Sequence, residues 1–417
     1  MFDLDNWMEI FHTIKKNKLR TFLTGFSVAW GIFMLIVLLA SGNGLKNGVM
    51  SNFGDRAINS VQLRGGRTSI EHNGIPKNRR IRLEQKDFEL IRDHIPETGD
   101  ISARISTNTK ASYLRESSDC ELDGVYPVFG SINGVKIKDG KGRFINDIDI
   151  NERRKVAVIN PRLKEILFKD KESIGENIVA GGLVFKVIGE YEGSDWGNEC
   201  KAYIPFSTAQ ALFSSGWGIQ SINFTIEGIN TLEESQAFDK RLREKMAKQH
   251  QFSPEDDKAI RIWNTFEDYT QTMGIFNGIN IFILVIGSMT LIAGIVGISN
   301  IMLISVRERT KEFGIRKALG ANPRSILQLV IMESILITGI FGYIGMVFGI
   351  ALSELINMIM EGMVQGTDGP SIFKNPTVDV GIVLKATLVL IIAGVISGLF
   401  PAYKAVKVTA VESMRAE

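Results

Sequence analysis

The sequence predicts an α-helical membrane protein with four transmembrane helices and a large external α+β domain of two subdomains, inserted between helices 1 and 2. Three observations carry this. Residues 21–45, 269–306, 334–353 and 386–403 contain no Asp, Glu, Lys or Arg over 25, 38, 20 and 18 residues, against the ~20 that a helix needs to cross hydrocarbon. The mean hydropathy of only +0.08 hides these runs, because the 223 residues 46–268 between the first two are of mixed polarity. Lys and Arg gather in the short flanking segments: four in residues 1–20, six in 307–324 and three in 404–417, against two in 354–385. Short basic loops stay on the cytoplasmic side and long translocated domains escape that rule. Both termini are therefore expected inside, with 46–268 outside.

Residues 1–45 comprise an N-terminal amphipathic segment and the first membrane helix. Trp7, Ile10, Phe11 and Ile14 recur at helical spacing ahead of Lys15, Lys16 and Lys18. They fit either a short helix lying on the anionic inner leaflet or the start of the spanning helix itself. The first apolar run is too long for a signal peptide, and Ser41-Gly42-Asn43-Gly44 is a poor cleavage site, so a retained helix is expected.

In the external domain, strands at 60–64 and 101–106 flank a helix at 83–95 with Leu83, Phe88, Leu90 and Ile91 on its apolar side. A strand at 155–159, a helix opened by Pro161, a hairpin over 177–190 turning at Gly181-Gly182, and a strand at 201–204 follow. After a helix from Ser207 come a strand at 221–226, a charged helix at 231–249 and a strand at 259–263. Residues 118–214 interrupt a strand-helix-strand pattern that resumes at 221, which predicts an inserted subdomain. Cys120 and Cys200 each fall on the apolar alternation of a strand. Buried free thiols are the expectation, with a disulfide the alternative that an oxidising compartment permits.

Residues 269–417 hold the remaining membrane helices. The second run would make ~57 Å of helix against ~30 Å of hydrocarbon, so it either protrudes or is broken by a loop in 271–280, where Gly274, Asn277, Gly278 and Asn280 weaken helicity. Asn322 and Pro323 are suited to cap and open the third helix. Val380 to Leu384 extend the fourth past Lys385, which can snorkel. Small residues such as Gly345 and Gly349 offer faces for close helix packing. Ionisable residues inside spanning helices would mark an ion or proton path, and only Glu333 qualifies, weakly; a structural role, pairing with a neighbouring helix or a cytoplasmic cation, is preferred to a translocation site.

Several chemistries have no residues to work with. The chain has no phosphate-binding G-x-x-x-x-G-K-[ST], no H-E-x-x-H, no C-x-x-C and no G-x-S-x-G, and its four His are scattered. A net charge of +2 is uninformative about nucleic acid, and no basic stripe interleaved with aromatics appears. No enzyme activity, metal or cofactor is expected in this chain itself.

The loop 307–324 is the most informative stretch. Phe313, Ile315, Ala318 and Leu319 need covering, and Gly314 and Gly320 punctuate the segment, so Ile315 to Leu319 would form a short transverse helix. Such a helix could slot into a groove on a cytoplasmic protein, with Glu312, Arg316 and Lys317 supplying polar contacts; a lipid-facing turn is the alternative.

At these residues the chain resembles a known family. RERTKEFGIRKALGANPRSI with IMESILITGIFGYIGMVFG, the opening KNKLRTFLTGFSVAWGI and the closing FPAYKAVKVTAVESMR are similar to the FtsX-like permease domain of MacB-type ABC transporters. LDGVYPVF, RRKVAVINPRLKEILF, GGLVFKVIGEY and KAYIPFSTAQALF resemble the MacB-like periplasmic core domain. The resemblance implies a bacterial inner-membrane permease, homodimeric or paired, driving efflux of periplasmic substrates by mechanotransmission among membrane lipids. It also implies a cytoplasmic ABC ATPase carrying ATP and Mg, docked on Glu312, Phe313, Gly314, Ile315, Arg316, Lys317, Ala318, Leu319 and Gly320, and a periplasmic adaptor with an outer-membrane channel. The family's fused N-terminal ATPase has no counterpart here, so a separate ATPase chain is expected. The P-x-x-A-L-R ending is also absent around residues 409–414. A lipoprotein-releasing permease and an FtsX-like regulator of a cell-wall hydrolase are the alternatives.

Overall fold

A computed structural model describes residues 18–53, 56–192, 199–213, 218–364, 373, 376 and 380–407. The N-terminal segment 1–17 and the closing tail, on which the amphipathic and tail-docking expectations rest, lie outside these. The chain divides into two compact units, residues 53–274 and the remainder.

The helical unit is built from α1 (Lys18–Phe53), α8 (Thr265–Glu308), α9 (Thr310–Ala318), α10 (Pro323–Val364) and α11 (Val380–Lys407). All but α9 are long and apolar enough to cross a membrane. Each outruns its charge-free window. α1 continues through Lys46 and a run of uncharged residues to Phe53, and Asn322 caps α10 by accepting from the Arg324 amide at 3.1 Å. α8 runs unbroken for 44 residues, about 66 Å, so the expected alternative of a loop within 271–280 is excluded. The weak helix formers there are outweighed by the uninterrupted i→i−4 ladder on both sides.

Val28, Ile32, Leu291, Ile298, Ile337 and Leu390 belong to the buried core of this unit, whereas Phe22, Trp30, Phe282, Phe348 and Leu388 face outward and are exposed. Apolar side chains outside as well as inside are what a lipid solvent permits, so packing rather than hydrophobic exclusion must hold the helices together. The small residues serve this. A Cβ on Gly345 would lie 2.2 Å from the Ala29 carbonyl oxygen, and one on Gly349 would lie 3.1 Å from Ile36, so both mark where α10 presses on α1. Ser334 is buried as well, and its hydroxyl donates to the Gly394 carbonyl of α11 at 3.0 Å.

The α+β unit contains β1 (Ser60–Gly65), α2 (Gln85–His94), β2 (Thr98–Tyr113), β3 (Glu116–Val125), α3 (Phe129–Asn133), β4 (Ile137–Gly142), α4 (Asp147–Asn151) and β5 (Val156–Ile159). It continues through α5 (Pro161–Phe168), β6 (Asn177–Ala180), β7 (Leu183–Tyr191), β8 (Lys201–Pro205), α6 (Phe206–Phe213), β9 (Ser221–Ile226), α7 (Leu232–His250) and β10 (Ile260–Asn264). One mixed sheet runs β10-β1-β9-β2-β3-β8-β5-β7-β4, with β6 pairing β2 and β7.

The outer-arm strands β10, β1, β9 and β2 lie together, and those of the middle stretch follow from β3 onward. The order therefore carries the trace of an insertion, yet the expected separate subdomain is not seen as such. β2 and β3 pair over ten positions, from Arg104↔Val125 to Tyr113↔Glu116, and the two parts share one buried core containing Leu63, Ile105, Leu122, Ala157 and Phe224. The long hairpin does this: a strand shared along its length fuses what the order of elements would separate.

Period-two alternation gives the sheet two faces. Val61, Leu63, Ile222, Phe224, Ala202 and Ile204 point into the main core with Phe88 and Ile91 of α2 and Phe238 and Leu242 of α7. Tyr203 and Val158 point the other way, to a smaller cluster with Phe129. Thr231 and Glu234 form a capping box that opens α7. Cys120 on β3 and Cys200 just before the parallel neighbour β8 are buried free thiols, beside the point where Glu121 opposes Lys201. Burial first, then the neighbouring Cys200, pushes the Cys120 thiol up.

Candidate functional site

The candidate site is the elbow joining α8 to α10. Arg309 leaves the α8 helix with φ −97° and ψ 10° and begins α9. α9 ends in a Schellman turn: the Ala321 amide donates to the Arg316 carbonyl and the Gly320 amide to the Lys317 carbonyl, both at 3.0 Å. Gly320 supplies the φ of +90° that this turn needs.

The helix is longer than the sequence suggests, because Gly314 does not break it. Gly314 lies buried in the fifth position of Thr310–Ala318. Of the two glycines, Gly320 acts as punctuation, with its positive φ.

Phe313 is a second correction. It was expected to await a partner, but it is 1% exposed and part of the helical core, with the Arg309 guanidinium 5.2 Å over its ring. The polar contacts are likewise taken up within the chain. Glu312 receives Arg309 at 3.0 Å and Arg316 at 2.9 Å. Lys317 donates to the Val406 carbonyl near the end of α11 at 2.6 Å.

Arg309 also reaches Glu333 at 3.2 Å, with side-chain exposures of 14% and 4%. Glu333 is thus the anchor by which α10 holds the elbow. Sequence reasoning missed Arg309 and the Val406 carbonyl; the first looked like one more loop cation, and nothing local links either to a residue 24 or 89 positions away.

What is left facing outward is narrow. Ile315 (52% exposed), Ala318 and Leu319 (83%) form an apolar edge at i, i+3 and i+4, with Lys311 beside it. The elbow is therefore a rigid piece, pinned to α10 by an ion pair and to α11 by a lysine, presenting one small greasy ridge. Among the described residues, no group of three or more His, Cys, Asp or Glu is arranged to hold a metal.

The family model described as MacB-like periplasmic core domain matches residues 21–241, and that described as FtsX-like permease C-terminal matches residues 284–410. The macrolide export ATP-binding/permease protein MacB of Bdellovibrio bacteriovorus is 27% identical over 98% of this chain and 61% of its own length. The protein of the same name from Chlorobaculum tepidum is 28% identical over 98% of this chain and 61% of its own. The chain thus spans about three fifths of the length of these relatives. The crystal structure of the periplasmic region of MacB from Actinobacillus actinomycetemcomitans aligns with 54% of this chain and 97% of that one, at 21% identity and a TM-score of 0.43.

Proposed function

Because the chain belongs to the family of the MacB-like periplasmic core domain, we propose that it is the permease part of an ABC transporter, converting ATP hydrolysis at its cytoplasmic face into movement of the periplasmic domain. The observation that carries this is the elbow: a helix pinned on its inner side, with an apolar ridge of Ile315, Ala318 and Leu319 left for a partner. The ATPase, holding ATP and Mg, would seat on that ridge. Displacement of the elbow would then be passed rigidly to α10 and α11 through Glu333 and Val406, and outward along the unbroken α8.

Export of substrate from the periplasm, rather than passage through the bilayer, fits the spans. Glu333, the buried ionisable group among their described residues, is engaged by Arg309 and lines no visible ion path. Assembly as a homodimer or paired permease in the inner membrane, with a periplasmic adaptor and an outer-membrane channel, completes the proposal.

The test separates the ridge from the core. Fully burying an Ile or Leu is worth about 1.5–3 kcal/mol. From their exposures, Ile315 and Leu319 together would contribute about 3 kcal/mol to docking, or roughly two orders of magnitude in affinity. Full-length protein purified from its native membrane should bring ATP-hydrolysing activity with it, and an Ile315→Glu/Leu319→Glu variant should lose that activity while remaining inserted. Undiminished ATPase retention by the double variant would defeat the assignment. Phe313→Ala should instead lower the stability of the chain itself, by about 3–5 kcal/mol.

A further inference from the structure

The α+β unit carries an unusual concentration of positive charge on the sheet face opposite its main core. Arg261 of β10 stands opposite Arg64 of β1, Arg64 opposite Ser221 of β9, and Ser221 opposite Arg104 of β2. Directly opposed residues share a face, so three arginines and a serine form one row across four strands. Arg104 is compensated, with Glu121 at 2.6 Å and Asp123 at 3.1 Å.

Arg64 and Arg261 are not compensated in this way; among the described residues neither has a carboxylate within ion-pair distance. Nor does Arg80, which arrives with Arg82 from the segment before α2. That segment is held against the sheet end by the Ile81 amide donating to the Gly66 carbonyl and by the Leu83 and Ile219 bridge.

These pieces form an open pocket of about 480 Å³ lined by Arg64, Arg80, Arg82, Arg261, Ser106 and Gln220; no carboxylate is among its lining residues, and the Ser106 hydroxyl donates to Glu121 behind it at 2.6 Å. Like charges directly opposite one another on paired strands repel. The Arg64 guanidinium is held below its ordinary value first by burial and then by the charge of Arg104, against the opposing charges of Glu121 and Asp123. A concave site with three guanidinium groups that have no carboxylate partner among the described residues, Arg64, Arg80 and Arg261, is completed by anionic charge, and its shape decides between kinds of anion. A flat acidic protein surface could not enter it. A tetrahedral oxyanion offers several oxygens to planar forks arriving from different directions, which is the recognition that arginine performs best.

We propose that this cavity is a binding site for a small ligand carrying phosphate-type anionic groups, gripped by Arg64, Arg80 and Arg261. The phosphate could come from a soluble polyanion or from a lipid headgroup, and the chemistry of capture is the same. The site lies wholly within the α+β unit and is independent of the elbow reading.

The experiment uses the full chain in nanodiscs of neutral phosphatidylcholine. Inorganic pyrophosphate and dihexanoyl phosphatidylglycerol are titrated separately by calorimetry, with dihexanoyl phosphatidylcholine as the uncharged-headgroup control. Saturable binding of pyrophosphate supports a soluble source, and binding of the phosphatidylglycerol alone supports a lipid source. In either case affinity should fall steeply with added salt. Arg64→Gln/Arg261→Gln should weaken binding roughly tenfold or more, while Arg162→Gln on α5 leaves it unchanged.

Because the strand substitutions relieve repulsion, the double variant should unfold no earlier than the parent without ligand and should lose the ligand-induced rise in melting temperature. Arg80→Gln, outside the named strands, reads the same loss should the double variant misfold. Binding of neither probe, binding that survives these substitutions, or equal affinity for an oligoglutamate peptide would overturn the proposal.

Discussion

Replacing Arg309 by Met tests whether Glu333 is held by a cation or merely tolerated. The two side chains are 14% and 4% exposed and meet at 3.2 Å. At that distance a pair with an effective dielectric near 20 attracts by about 5 kcal/mol before desolvation is charged against it. Arg309→Met leaves a buried carboxylate short of its guanidinium, which should destabilise the chain by about 3–5 kcal/mol. Converting both residues to Met replaces the pair by apolar groups of similar volume, and should bring stability back to within about 1 kcal/mol of the parent.

Arg309 also contacts Glu312 and Phe313. Its bond to the half-exposed Glu312 is worth ~0.3–0.5 kcal/mol, and its stacking over Phe313 ~0.5–1 kcal/mol. Both vanish equally in the single and double variants, so they cancel in a double-mutant cycle and only the coupling to Glu333 remains. Unfolding in mixed detergent micelles, followed by far-ultraviolet circular dichroism, supplies the four stabilities. The two single losses should together exceed the double loss by about 2 kcal/mol or more. Additivity to within ~0.5 kcal/mol would refute the ion pair as the link between elbow and α10.

Two further outcomes follow from the packing and the charges. Gly345→Ala should lower stability by about 1–3 kcal/mol, because the new Cβ would meet the Ala29 carbonyl oxygen at 2.2 Å. Gly339→Ala, with nothing within 4 Å, should be neutral or stabilise by up to ~1 kcal/mol through helix propensity, and the same unfolding assay reads both. Burial, with the charge of Glu267 adding to it, pushes the Asp239 carboxyl up to about 7 against the hydrogen bond from Asn264. The folded state therefore keeps a proton that the unfolded chain has already lost, and stability should fall as pH rises from about 4 to about 7, by roughly 4 kcal/mol at most at 1.36 per unit. Asp239→Asn should flatten that slope in denaturant titrations run across the same window.

Four membrane helices, the basic loop between the second and third, and most strands of the α+β unit were legible in the residues themselves. The length of an apolar run, the side of the membrane that a cluster of Lys and Arg prefers, and the alternation of a strand are properties of a short window. β9 falls on 221–226 as its pattern required, and the Gly181-Gly182 hairpin joins β6 to β7. What was misjudged depended on distant partners. Phe313 reads as exposed in a loop of charges because the buried side of α9 is made by residues of other helices. Gly314 reads as a break because its neighbours in space are invisible in the chain.

The residues of the chain by themselves thus determined which segments enter hydrocarbon, where the elbow lies and which side chains compose it. Those follow from transfer free energy and backbone propensity summed over neighbours in sequence. The tertiary structure alone decided that Glu333 and Val406 hold the elbow, that Ile315, Ala318 and Leu319 stay exposed, and that β2 and β3 merge two parts into one sheet. It also decided that Arg64 and Arg261 stand side by side across a gap of nearly two hundred residues. Such pairings are set by which distant surfaces fit together once loop closure has been overcome, and no local pattern encodes them.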